Sequence, residues 1–100
     1  MESQENQINI ELTDDVSGGV YSNLAIISHS ETEFVVDFIQ VMPGVPKAKV
    51  KSRIILNPQH AKRLLLALRD NIEKFEATFG PININQNIPT KIPFNPKGQA

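Results

Sequence analysis

The sequence predicts an α+β domain: a four-stranded antiparallel meander followed by one long C-terminal helix packed on one face of the sheet. Three observations predict it. Between positions 8 and 56, apolar residues come in short runs separated by turn formers, among them Gly18-Gly19, HSET and Pro43-Gly44-Val45-Pro46, the pattern of short strands. From Pro58 onward, Ala61, Leu65, Leu68, Ile72, Phe75 and Phe79 recur at spacings of four and three, which places them in one helical stripe. A chain of 100 residues with 40% hydrophobic content has material for one small core.

Ile8, Ile10 and Leu12 alternate with Asn9 and Glu11 and predict a first, half-buried strand. TDDVSGG is a loop. Tyr21 to Ser28 is the second strand, and HSET the turn after it. The third strand, EFVVDFIQV from Glu33 to Val41, is apolar on both sides yet carries Asp37 in its middle. The two prolines of the following turn exclude regular pairing, while Gly44 supplies positive φ. Lys47 to Leu56 is the fourth strand. Asn57-Pro58 is a helix start, an N-cap side chain followed by proline at the first helical position. Gly80-Pro81 ends that helix. The domain is expected over 8–80, with residues 1–7 as a disordered N-terminus. The Pro- and Asn-rich residues 81–100 are expected to be an extended or disordered tail in which ININ could add an edge strand.

Matching faces sets the expected register of the last hairpin. Phe34 opposes Leu56, Val36 opposes Ile54 and Phe38 opposes Ser52 on a face that Leu24 and Ile26 extend and the helix covers. On the other face Val35 opposes Ile55, Asp37 opposes Arg53 and Ile39 opposes Lys51; a shift of one residue would mix the faces. Asp37 and Arg53 are thus expected as a structural ion pair rather than catalytic groups. Ile27, Val35, Ile39, Val41 and Ile55 then lack a cover, and Leu66 lies off the helical stripe. These six residues are the candidate interface, and a second copy of the chain or a larger protein is expected to dock through this sheet face or through the helix.

Composition narrows the chemistry. There is no cysteine, which excludes a disulfide framework, a Cys-based zinc site and a thiol nucleophile. His29 and His60 stand alone, without ligand spacing for a metal. No phosphate-binding glycine loop, nucleophile elbow or triad order is present, so no enzyme, cofactor or metal is expected. The polar, acidic start MESQENQ predicts no signal peptide, no apolar run is long enough for a membrane, and a cytoplasmic protein is expected.

Charge is lopsided although the net value is −1. Residues 1–46 hold eight acids and no Lys or Arg, and all ten basic residues follow position 46. Lys47, Lys49, Lys51 and Arg53 alternate, so a straight strand would carry all four on one side; Lys62, Arg63 and Arg69 follow on the helix. Such a row fits a phosphate backbone, and fits better edge-strand lysines that prevent aggregation and balance the acidic half. Only Tyr21 could add a stacking platform for single-stranded nucleic acid.

The stretches YSNLAIISHSETEFVVDFIQV and KSRIILNPQHAKRLLLALRDNIEKFEATFG resemble a small prokaryotic family, the domain of unknown function numbered thirty-four sixty-seven. Glu33, Phe34, Asp37, Phe38, Ser52, Arg53, Pro58, His60, Lys62 and Arg63 stand at its motif positions. The likeness spans Tyr21 to Gly80. It implies a short sheet followed by one long helix, and it brings no assigned activity. Some bacterial members are encoded beside the large RNA polymerase subunits, so the resemblance also implies a setting in transcription. The element order is similar in architecture to the Whirly and transcriptional-coactivator group of dimeric single-stranded-DNA binders. The resulting expectation is a non-enzymatic homodimeric module acting through nucleic acid or RNA polymerase. The alternative is a protein–protein adaptor without nucleic-acid contact.

Overall fold

The computed structural model describes residues 7–84. The elements are a one-turn helix α1 (Asp14–Ser17), strands β1 (Leu24–His29), β2 (Phe34–Gln40) and β3 (Lys49–Leu56), and helix α2 (Pro58–Phe79). The chain divides into two compact units, Met1–Lys62 and Arg63–Ala100.

In the first unit the described residues form a three-stranded antiparallel sheet in the order β1-β2-β3. The expected first strand is absent. Residues 7–13 are irregular, and Ile8, Ile10 and Leu12 are exposed, Ile10 at 89%. Three alternating apolar residues do not make a strand without a partner ladder. Instead the Thr13 carbonyl accepts from the Val16 and Ser17 amides, and Asp14 and Asp15 sit in the first turn of α1, where carboxylates suit the positive helix end.

Two turns close the hairpins. The Ser30 amide donates to the Glu33 carbonyl and brings His29 opposite Phe34, their rings stacked with centroids 5.4 Å apart. At the second turn the Val45 amide donates to the Met42 carbonyl. Pro43 and Gly44 are its central residues, and Gly44 has φ +80°, as a type II turn requires.

The β2–β3 register pairs Phe34, Val35, Val36, Asp37 and Phe38 with Leu56, Ile55, Ile54, Arg53 and Ser52, as expected. Beyond Phe38 a bulge intervenes, and Ile39 opposes Val50 rather than Lys51. One extra residue in β3 brings an apolar partner to Ile39 and changes the face of everything before it. The β1–β2 register sets Leu24 opposite Ile39, Ile26 opposite Asp37 and Ile27 opposite Val36. Leu24 and Ile26 therefore share the Asp37 face, and Ile27 shares the Val36 face, the reverse of the expected assignment.

The buried hydrophobic residues of the described chain are Val36, Ile39 and Leu56, and the buried polar one is Asp37.

Helix α2 has the predicted bounds, and its ends explain them. Asn57 Oδ1 accepts from the His60 amide at 2.7 Å, capping an orphan donor. Gly80, with φ +96°, donates its amide to the Glu76 carbonyl, and Glu76 Oε2 accepts from the Ile82 amide at 2.9 Å. Asp70 and Lys74 pair at 3.1 Å across one turn, and the Phe75 and Phe79 rings lie 4.9 Å apart. No residue of α2 is buried. On its apolar stripe Leu68 is 54% and Phe79 73% exposed.

Residues 82–84 are irregular rather than an edge strand. The remaining tail and the first six residues of the expected disordered N-terminus lie outside the described residues.

Candidate functional site

The centre of the sheet is organised by one ion pair. Asp37 lies on the middle strand β2, flanked by Ile26 of β1 and Arg53 of β3. Arg53 Nε donates to Asp37 Oδ1 at 2.6 Å and Nη2 donates to Oδ2 at 2.8 Å. This two-pronged geometry satisfies both carboxylate oxygens of a residue only 2% exposed. The guanidinium side is wetter, with the Arg53 side chain 39% exposed. Hydrogen bonding from Arg53 holds the Asp37 carboxyl below its ordinary value of 3.8 and outweighs burial, which acts the other way. The same hydrogen bond raises the Arg53 pKa. Both groups stay charged, and neither is poised to exchange a proton near neutrality.

A polar clamp lies at the end of the same strand. The Asn23 side chain accepts from the Val41 amide at 2.7 Å and donates to the Val41 carbonyl at 3.0 Å. The single Ser22 hydroxyl proton is shared between the carbonyls of Leu24 and Ile39, each 3.0 Å from Oγ. The two side chains tie the start of β1 to the end of β2 where regular pairing stops. Residue-by-residue reasoning missed them; the signal available was a polar pair directly before an apolar strand.

The basic residues are not gathered into one row. Lys47 precedes β3, and Lys51 is the residue left over at the bulge. Lys49 opposes Gln40 while Arg53 opposes Asp37. Gln40 and Asp37 point to opposite faces of β2, so Lys49 and Arg53 do too. Arg53 is moreover engaged by Asp37. The order β1-β2-β3 makes β3 an edge, where lysines discourage pairing with other sheets. Lys62 and Arg69 lie exposed on α2.

The candidate interface residues are likewise dispersed. Ile55 is exposed on the Asp37 face and Ile27, 62% exposed, is on the other. Val35 and Val41 are half-buried and Ile39 is buried. Leu66 is exposed on α2. The helix was the alternative docking element expected from the sequence, and on the α2 stripe Leu65, Leu68, Ile72, Phe75 and Phe79 are all exposed.

Among the described residues no group of three His, Asp or Glu is placed to hold a metal ion, and no helix is long and apolar enough to cross a membrane. The likeness to the Whirly group rested on four strands before the helix, and the described residues form three.

Residues 1–84 match the model of a family described as protein of unknown function (DUF3467). No curated protein and no solved structure matches the chain.

Proposed function

We propose, from the premise that the chain belongs to this family of proteins of unknown function, that it is a non-enzymatic binding module working as a homodimer and docking onto protein. One observation carries this reading. Three hydrophobic side chains are buried among the described residues, while large apolar residues of both the sheet and α2 are exposed. So much uncovered apolar surface favours association. The transcription setting implied by the family resemblance makes RNA polymerase the first protein partner to test.

Contact with single-stranded nucleic acid has less support. A phosphate track needs its cations on one side, and the β3 bulge puts Lys49 and Arg53 on opposite faces. Titration of labelled single-stranded DNA at low salt separates the two. The protein-docking reading expects no salt-dependent binding. Binding that weakens in the Lys49→Glu, Lys51→Glu double variant would overturn it in favour of nucleic acid.

A further inference from the structure

The α2 stripe has a property that a merely apolar surface lacks: its residue sizes complement each other when the helix is reversed. Ala61, Leu65, Leu68, Ile72, Phe75 and Phe79 follow the four-three spacing of a coiled-coil seam. Set against an antiparallel copy centred near Asp70, Ala61 meets Phe79 of the partner subunit, Leu65 meets Phe75 of the partner subunit and Leu68 meets Ile72 of the partner subunit. The smallest residue faces a large one at each end, and the middle layers match in volume. A parallel, in-register pair would instead face Ala61 with Ala61 and each Phe with itself, leaving a gap at one end and crowding at the other.

Charge follows the same symmetry. In the antiparallel arrangement Lys62 flanks the seam opposite Glu76 of the partner subunit, and the two-fold repeats that pair. The parallel arrangement sets Leu64 near Arg69 and Asn71 near Glu76, with no opposite charges across the seam. The one like-charge contact in the antiparallel pair, Arg69 with Arg69 of the partner subunit, lies on the solvated rim, where repulsion is small.

We infer that α2 pairs antiparallel with α2 of a second copy through this seam. The inference rests on the homodimer reading and adds the surface and the orientation to it. Leu66 falls outside the seam and is left free.

The absence of cysteine makes site-directed spin labelling of the full chain direct. Arg63→Cys, Asp70→Cys and Ala77→Cys place labels seven residues apart, away from the seam. An antiparallel pair gives the shortest intermolecular distance at position 70. It gives longer, similar distances at 63 and 77, whose copies are offset by about 21 Å along the axis at 1.5 Å per residue. Equal distances at all three positions, or no resolved intermolecular distance in a sample that sediments as a dimer, overturn the antiparallel seam and leave the homodimer standing. A monomer at every concentration overturns both. As a second arm, Lys62→Glu and Glu76→Lys should each weaken the dimer about 10-fold, and the double variant should restore it by re-forming the swapped pair. Additive weakening in the double variant would overturn the seam.

Discussion

The middle of the sheet and the length of α2 solve opposite problems. At Asp37 a charged side chain is buried and fully partnered, so the fold there is specified by a polar contact that admits one register. Along α2 the caps and the terminal glycine define the helix by local signals, while its apolar stripe is exposed. The sheet centre is specified by contacts between strands distant in sequence, and the helix by signals at its own two ends.

Perturbing each region tests that contrast. The largest effect is expected on the stripe: Leu68→Glu should weaken self-association at least 100-fold, since it buries a carboxylate at the middle of the seam. Sedimentation measures the loss, and an unchanged helical circular dichroism signal would show that the helix itself survives.

The sheet centre should respond through stability rather than assembly. Arg53→Ala leaves Asp37 buried without its donor and should lower the melting temperature by on the order of 10 °C. Asp37→Asn should cost less, because the Arg53 head reaches solvent. The pair also sets an acid limit. The folded Asp37 pKa lies below 3.8, so its contribution is fully present well above that value. It is lost as pH falls through 3.8 toward the depressed folded value, because protonation favours the unfolded chain. Stability measured from pH 6 to 3 should fall less steeply in Asp37→Asn than in the parent.

Smaller effects belong to local signals. Gly44→Ala forces a side chain to φ +80° and should cost about 1 kcal/mol. Asn57→Ala removes the acceptor of the His60 amide and should also cost about 1 kcal/mol. Both are read by denaturant unfolding at a concentration where the oligomeric state is fixed. Smallest of all, Leu66→Glu, off the stripe, should leave association within about 2-fold.

What was legible in the sequence follows the same division. The bounds of α2 are carried by Asn57-Pro58 and Gly80-Pro81, each a local cue with a local physical cause. The five β2–β3 pairs from Phe34 to Phe38 were readable because the pleat penalises any shift that mixes Asp37 with the apolar face. The bulge was not, since nothing in KAKVKSR marks which residue is left unpaired. The face of Ile27 was also hidden. LAIIS is apolar on both sides, so its parity depends on the Ser30–Glu33 turn rather than on the pattern. Ile8, Ile10 and Leu12 alternate like a strand but have no ladder beside them, and alternation alone does not create one. Of the candidate site, the Asp37–Arg53 partnership was readable by opposition. Ser22 and Asn23 were not, because their targets, the Ile39 carbonyl and Val41 backbone, are distant in sequence.

If a second copy covers the exposed apolar surface of α2, the chain must self-associate. Sedimentation equilibrium of the full chain over roughly 1–200 μM, the range in which a modest interface assembles, tests it most directly. The expected result is a mass rising to twice 11.1 kDa and a return toward the monomer in Leu68→Glu but not in Leu66→Glu. A constant monomer mass across that range, or a dimer indifferent to Leu68→Glu, would contradict it.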